Sequence, residues 1–257
     1  MKNLKSCSCG YKPEGDLSDK YFHCLETKAL RNHVTFPSFH FLSDVDNQSE
    51  VYFKLIEDNI IPKRHWAFLV EIDERMENEE HGFMGWSRFN ENLPIPESND
   101  KPNSFQWSDL TKGQTMAILY AEKKMIKRQM SICEETLDNC FVFKVNMEQL
   151  ENEAVKVLDF KDSQCQNKNL SCFNCGVELK EERLECEKCK LAVYCSKKCQ
   201  DKSWSMVHEK LCSQSDVLLR LACLPRHSQF EDFYTFFSNS FDFLPQYIFS
   251  EKYVQKF

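Results

Sequence analysis

The chain has 257 residues, of which 42% are hydrophobic and 28% are charged, a balance typical of a folded globular protein rather than a disordered one. Its 33 Lys and Arg residues against 40 Asp and Glu residues give a net charge of −7, which disfavours general affinity for nucleic acids or anionic membranes. The sequence has no apolar run of about 18 residues and no apolar leader, so we expect an intracellular protein, nuclear or cytoplasmic, without a membrane span.

The chain contains 14 cysteines, which in a reducing compartment are more often metal ligands than disulfide partners. The first candidates are Cys7 and Cys9, with Cys24 further on. No clean second pair near them completes a set of four ligands, so we expect these three cysteines to hold no metal.

Residues 1–165 have the mixed pattern of an α+β domain. Apolar residues recur at helix-like intervals over 50–61 and the pattern stops at Pro62, which predicts a helix. Three prolines within 91–104 predict a long surface loop. The remaining predicted elements are strands over 65–73, 115–123 and 141–145, an amphipathic helix over 147–158, and a linker over 161–169.

Seven of the 14 cysteines lie between Cys172 and Cys212, and together with one histidine they form four closely spaced pairs. The pairs are Cys172 and Cys175, Cys186 and Cys189, Cys195 and Cys199, and His208 and Cys212. Two intervening residues suit a tight turn, and three intervening residues, a step of i to i+4, place both members on one face of a helix. Eight such ligands suit two closed tetrahedral Zn²⁺ sites. The alternative, that these cysteines are small buried apolar residues, does not explain four nested pairs.

The segment from Cys172 to Cys212 closely resembles a MYND-type zinc finger. It matches in all eight ligand positions, in the step from Tyr194 to Cys195, in Gln200, and in the spacing from Trp204 to His208. The resemblance covers these residues only, and we recognise no family in the rest of the chain. The family commonly has Asp at the position of Ser203, so we expect a weakened contact on the helix surface there.

Spacing alone leaves open how the four pairs share two metal ions. The resemblance implies a cross-braced arrangement, with Cys172, Cys175, Cys195 and Cys199 on one zinc and Cys186, Cys189, His208 and Cys212 on the other. A sequential arrangement is the alternative. In either case protein side chains fill all four positions of each metal, so we expect both Zn²⁺ ions to be structural and not catalytic.

The resemblance also implies a partner, because MYND fingers bind short proline-containing peptides of other proteins. The matching surface is Ser196, Gln200 and Trp204, which are spaced i, i+4, i+8 and therefore line one stripe of a helix. Alternatively, Trp204 fills the space between the two zinc sites and has no role in binding.

The residues after Cys212 begin with an apolar helix over 215–224 that ends at Pro225, followed by a tail rich in Phe and Tyr that extends to Phe257. So many aromatic residues favour burial. We therefore expect the tail to pack on the other parts, with an exposed partner-binding patch as the alternative. The predicted architecture is thus an α+β domain over 1–165, a two-zinc finger over 166–214, and a helical, aromatic-rich tail over 215–257.

Enzyme motifs do not occur in this sequence. It has no G-x-S-x-G, no P-loop and no G-x-G-x-x-G. Some proteins with this finger carry a SET methyltransferase domain, but its Asn-His-Ser-Cys pattern is not found. The most similar segment is 31–34, which reads Arg-Asn-His-Val. We expect a non-enzymatic adaptor; the alternative is an enzyme of unrecognised type in residues 1–165, with the finger as its targeting arm.

Overall fold

The structure is a computed structural model that describes residues 29–56, 59–75, 82–87, 91–96, 107–126, 129–133, 139–166, 169–179 and 183–226. These residues form a mixture of strands and helices, which confirms the α+β class. None of the helices among them is long and apolar enough to cross a membrane. Cys7, Cys9, Cys24 and the aromatic tail after Arg226 lie outside the described residues.

The strands and helices have the following bounds. The strands are β1 (Phe53–Ile56), β2 (Asn59–Pro62), β3 (Ala67–Arg75), β4 (Gly82–Ser87), β5 (Asn92–Pro96), β6 (Thr115–Leu119), β7 (Glu122–Ile126), β8 (Gln129–Cys133), β9 (Cys140–Phe143), β10 (Leu184–Glu185) and β11 (Val193–Tyr194). The helices are α1 (Met147–Cys165), α2 (Lys197–Ser203), α3 (Glu209–Leu211) and α4 (Ser215–Cys223).

A five-stranded antiparallel sheet in the order β5-β4-β3-β6-β9 forms the centre of the protein. Its middle strands, β3 and β6, consist largely of buried apolar residues because both faces of the sheet are covered there. The predicted strands over 65–73 and 141–145 are confirmed as β3 and β9.

The predicted helix over 50–61 is wrong, because these residues form the hairpin of β1 and β2. Phe53 is buried, with its ring centroid 5.3 Å from that of Trp66, whereas Leu55 is 68% exposed. The apolar spacing fits a helix as well as a hairpin, and the contact with Trp66 decides in favour of the hairpin. Tertiary packing overrides a short local pattern here.

The predicted loop over 91–104 is wrong in its first part, where residues 92–96 form β5. Leu93 and Ile95 are buried, while Pro94 and Pro96 belong to a strand at the edge of the sheet. Proline is tolerated there because an edge strand leaves some N–H groups without a ladder partner. Residues 97–104 lie outside the described residues.

The predicted strand over 115–123 is divided into β6 and β7 by a sharp bend at Tyr120, which has a φ of +57°. The bend is held by tertiary contacts: the Tyr120 hydroxyl lies 2.6 Å from Nδ1 of His65, and its ring packs against Trp66 with centroids 5.2 Å apart. Beyond the bend, β7 pairs with β8, and β8 contacts β5 at the opposite edge of the sheet.

A Gly85→Ala substitution is expected to destabilise the sheet by about 1–3 kcal/mol, as overpacking in a core does. A Cβ atom at Gly85 would lie 2.4 Å from Cγ2 of Val70 and 3.1 Å from the backbone oxygen of Glu71, so strand β3 would have to move. Chemical denaturation measures the effect, with Lys54→Ala at an exposed strand position as the control. Equal stability of Gly85→Ala and the wild type would contradict this packing.

Helix α1 begins with a capping box, in which the Asn146 side chain accepts the N–H of Gln149 at 2.9 Å and the Gln149 side chain accepts the N–H of Asn146. It confirms the predicted helix over 147–158 but continues to Cys165, so residues 161–165 of the predicted linker are helical. Asp162 in the last turns accepts two hydrogen bonds of 2.6 Å from Arg226, which fixes this end of the helix.

The finger segment and the sheet region pack together in the described residues. Helix α4, which confirms the predicted helix after Cys212, lies against α1. The ring of Phe160 on α1 contacts that of Phe173 at 6.2 Å, and Gln214 donates from Nε2 to the carbonyl of Val142 on β9. The buried residues of both regions form one continuous cluster. The boundaries at 165 and 214, which coincide with the end of α1 and the start of α4, remain a prediction about independent folding.

Candidate metal centre

The eight predicted ligands come together in two groups of four. Within each group the ligand atoms lie within 4.8 Å of one another. Zinc site 1 consists of Cys172, Cys175, Cys195 and Cys199, and zinc site 2 consists of Cys186, Cys189, His208 and Cys212. Each site takes one pair from the first half of the segment and one from the second, so the pairing is cross-braced and the sequential alternative is wrong.

The sulfur distances in zinc site 1 fit a tetrahedral metal. Four thiolates with Zn–S bonds of about 2.3 Å have sulfur atoms about 3.8 Å apart. The Sγ atoms of Cys175 and Cys195 are 3.7 Å apart, and those of Cys195 and Cys199 are 3.5 Å apart. A disulfide would need about 2.05 Å, so these are free thiols with the separation of metal ligands.

Zinc site 2 has the same dimensions. The Sγ atoms of Cys186 and Cys212 are 3.7 Å apart, and Sγ of Cys189 lies 3.7 Å from Nε2 of His208. Nε2 is therefore the nitrogen of His208 that faces the metal position. Protein side chains occupy all four corners of both sites, so the residues fit two structural Zn²⁺ ions without an open position for water.

The first halves of the two sites are turns of the same shape. In zinc site 1, Gly176 follows Cys175 with a φ of +73° and donates its N–H to the carbonyl of Cys172 at 2.8 Å. In zinc site 2, Lys190 occupies the equivalent position with a φ of +58° and donates to the carbonyl of Cys186 at 2.9 Å. The left-handed residue folds the chain back so that two thiols point to one metal.

Helical residues supply Cys199, His208 and Cys212, but Cys195 precedes the N-cap of α2, so the prediction that Cys195 and Cys199 share a helix face is wrong. Ser196 caps α2 by accepting the N–H of Cys199 at 3.3 Å, which places Cys195 and Cys199 on either side of the first turn. A π-helical turn over Trp204–His208 connects α2 to α3. Its extra residue rotates His208 relative to α2, and His208 then lies on the same face as Cys212, four residues later.

Hydrogen bonds favour the thiolate form of two ligands of zinc site 1, Cys172 and Cys199. Burial opposes ionisation of the Cys172 thiol, but the backbone N–H groups of Cys175, Cys195 and Asn174 lower its pKa to about 6. The Asn174 amide, at 3.3 Å from Sγ of Cys199, is the main cause that lowers the pKa of Cys199. Because the thiolate is the form that binds a metal, these donors favour Zn²⁺.

Tyr194 forms the apolar centre between the two sites. It is fully buried, and its ring contacts Phe173 at 6.4 Å and His208 at 6.3 Å. Its hydroxyl donates to Oγ of Ser203 at 3.3 Å, and burial raises its pKa. Ser203 is itself buried, so the expectation that it affects a surface contact is wrong: a small side chain here makes room for the Tyr194 hydroxyl.

The three predicted peptide-binding residues follow one another along the helical part. The Ser196 hydroxyl is used by the helix cap, and Gln200 is half-buried, with its side-chain oxygen accepting from Lys197 at 3.1 Å. Trp204 is half-buried and contacts the ring of His208 at 5.7 Å. Trp204 is thus partly packed against zinc site 2 and partly accessible.

Lys188 is a neighbour of Trp204 that the sequence analysis missed. Its ammonium group lies 5.1 Å from the centre of the Trp204 ring, a cation–π contact. The two side chains line a cavity of about 460 Å³ beside zinc site 2, together with Glu209 and Asp216. No local pattern joins residues 16 positions apart, so only the cross-braced fold reveals this contact.

Comparison with known proteins identifies the segment that holds both sites. The sequence model of the family described as "MYND finger" matches residues 172–212. No curated protein and no solved structure matches the chain significantly. The match has the same limits as the eight ligands, and the two groups of four have the cross-braced pairing that the resemblance implied. Residues 172–212 are therefore a MYND finger, a zinc-binding protein-interaction domain.

Proposed function

We propose that the finger binds a short proline-containing peptide of a partner protein and that the protein is an adaptor without catalytic activity. The observation that supports this function is the partly accessible ring of Trp204, which lines a cavity next to zinc site 2. A flat aromatic ring suits proline because it packs on the pyrrolidine ring without requiring a specific side chain.

The helix adds polar groups along the same stripe. Gln200 lies one turn before Trp204 and has an amide that can bond to the backbone of an extended peptide, which cannot satisfy its own N–H and C=O groups. The ring of His208, a ligand of zinc site 2, packs against the ring of Trp204. The Trp204 ring is therefore positioned before a peptide binds. In this proposal the metal ions shape the surface and take no part in chemistry.

Gln200→Ala is expected to weaken binding of a proline-containing peptide about fivefold, because a net hydrogen bond contributes about 1 kcal/mol. Zinc content and folding should not change, since Gln200 is neither a ligand nor a fully buried residue. A proline-motif peptide library is screened against the full chain, and the best peptide is then titrated into both forms.

Lys198→Ala is the matched control, because this exposed residue belongs to the same helix but is two positions away from the stripe. It should bind the peptide as the wild type does. Absence of binding at millimolar concentrations, or equal affinity of Gln200→Ala and wild type, would contradict the peptide-binding surface and leave the finger as a structural brace.

We further propose that the protein acts inside the cell. The argument is chemical: the ten cysteines whose side chains the structure describes are free thiols, and two closed zinc sites depend on thiolates that an oxidising compartment would convert to disulfides. Imaging of the tagged full-length protein tests the location and distinguishes nucleus from cytoplasm.

A further inference from the structure

A cavity of about 760 Å³ lies outside the finger, between the loop of residues 34–51, the connection from β2 to β3, and the start of β7. Its size is that of a small-molecule site, for which about 300–1,000 Å³ is usual. Three cationic side chains line it: Lys63, Arg64 and Lys123. None of them belongs to a motif in the sequence, and they converge only in the folded protein.

Arg64 is the most informative of the three. Its Nε atom is buried and has no hydrogen-bond partner, and no described residue forms an ion pair with its guanidinium group. Burial lowers the pKa of Arg64. Arg64 as a whole is half-buried, so the donor left without an acceptor is its Nε–H, and burial of such a donor is unfavourable unless a ligand supplies the acceptor.

The surrounding chain holds these cations in place. The N–H of Lys63 donates to the carbonyl of Tyr52 at 2.8 Å, and the Tyr52 hydroxyl donates to the carbonyl of Val34 at 3.1 Å. On the opposite side, Nζ of Lys123 donates to the carbonyl of His40 at 2.7 Å. The cavity is therefore built from anchored backbone and not from loose surface side chains.

Two carboxylates, Asp44 and Glu50, also line the cavity, and neither forms an ion pair with Arg64. Oδ1 of Asp44 accepts the N–H of Asp46 at 3.0 Å, and the charge of Asp44 acts on Lys123, where it opposes the lowering of the pKa by burial. Lys123 thus has a nearby counter-charge. Among the residues that the structure describes, neither Arg64 nor the neighbouring Lys63 forms an ion pair with a carboxylate.

The rest of the wall is half polar, with His40, Asn47, Gln48 and Ser49, and half apolar, with Val34, Phe41, Leu42 and Val51. We propose that the cavity binds a small organic phosphate, with the phosphate on Arg64 and Lys63 and the apolar body against Phe41 and Leu42. A phosphate fits better than a carboxylate because its two negative charges match two cations and its oxygens accept bidentate hydrogen bonds from a guanidinium fork.

Phenyl phosphate is a suitable probe, with inorganic phosphate, benzoate and phenol as comparisons, each titrated into the full-length, zinc-loaded protein. We expect phenyl phosphate to bind more tightly than inorganic phosphate, which lacks the apolar body, and more tightly than benzoate, which lacks the second charge. Phenol should bind weakest. Absence of phenyl phosphate binding at millimolar concentrations, or equal binding of phenyl phosphate and phenol, would overturn the proposal; preference for benzoate would overturn the choice of phosphate.

Arg64→Gln should weaken phenyl phosphate binding by roughly tenfold, since it removes a charge-assisted, bidentate partner. Lys124→Gln is the matched control, because this exposed lysine on β7 is outside the lining and its replacement changes the net charge equally. Binding should persist in Lys124→Gln and also in Gln200→Ala, which separates this site from the finger. A loss of affinity as large in Lys124→Gln would show a general charge effect and overturn the site.

The stability of the ligand-free variant provides a second readout. Removal of a half-buried cation whose Nε–H has no acceptor should leave the urea midpoint of Arg64→Gln equal to or above that of the wild type. A clearly lower midpoint, or failure to fold, would show that Arg64 supports the structure and would overturn its assignment to a ligand.

Discussion

The purified protein is expected to contain two Zn²⁺ ions per chain, and Cys189→Ser is expected to contain one. The substitution leaves zinc site 2 with Cys186, His208 and Cys212, and a hydroxyl group is a much poorer zinc ligand than a thiolate. Zinc site 1 shares no ligand with zinc site 2 and should keep its metal. Metal analysis of the dialysed protein by mass spectrometry measures both values.

The expected loss of structure in Cys189→Ser is large, because a structural Zn²⁺ supplies about 10–16 kcal/mol of binding free energy in small zinc domains. Zinc site 2 joins the turn at Cys186 to the helical residues His208 and Cys212, and it supports the ring of Trp204. Loss of this metal should therefore also abolish peptide binding at the proposed surface.

Cys165→Ser is the control for this experiment. Cys165 is exposed at the end of α1 and belongs to neither group of four, so its replacement should leave two zinc ions. One zinc ion in the wild type would contradict the two-site arrangement. Two zinc ions in Cys189→Ser would show that Cys189 is not a ligand.

Removal of both zinc ions by a chelator is expected to unfold residues 169–212 and to leave the central sheet folded. The finger has little else to stabilise it, since β10 and β11 have two residues each and the segment is too short for a large core. The sheet has its own core, in which Phe68, Met116 and Leu150 are fully buried. We therefore expect two separate transitions in the presence of chelator.

Contacts between the finger and the sheet region determine how much stability the sheet loses after chelation. The ring contact between Phe160 and Phe173 and the hydrogen bond from Gln214 to Val142 should be lost with the finger. The sheet should consequently be less stable, but still folded, after chelation. Hydrogen exchange monitors each region: the amide of Ala117 on β6 should stay protected, whereas that of Cys186 should exchange rapidly.

A single cooperative transition after chelation would be the opposite result. It would mean that the continuous cluster of buried residues makes one folding unit of the sheet and the finger, and that the boundary at residue 165 is wrong. Zinc added back to the chelated protein serves as the control and should restore protection of the Cys186 amide.

The sequence by itself determined the metal sites and the elements with strong local signals. The two ligands of each pair are separated by two or three residues, so both can reach one metal from a single turn. The eight ligands therefore follow from spacing alone. Helix α1 has its own cap at Asn146, and the apolar run of β3 is long enough to predict a buried strand. The resemblance to the MYND finger supplied the pairing of the ligands, which spacing left open.

Only the tertiary structure decided the features that depend on contacts between distant residues. Residues 50–61 form a hairpin because Phe53 packs on Trp66, and the strand after Thr115 breaks at Tyr120 because His65 and Trp66 hold a left-handed residue there. These contacts cannot be predicted from the local pattern of apolar and polar residues.

The same reason applies to the two cavities. Lys188 contacts Trp204 because cross-bracing brings a turn against a helix. Arg64 and Lys123 line one cavity because the bend after β6 directs β7 toward the loop before β1. Whether a buried donor has an acceptor depends on its surroundings, so the Nε–H of Arg64, which has no acceptor among the described residues, is recognisable only in the folded protein. Local spacing predicts ligands that act within one turn, whereas sites assembled from separate segments require the fold.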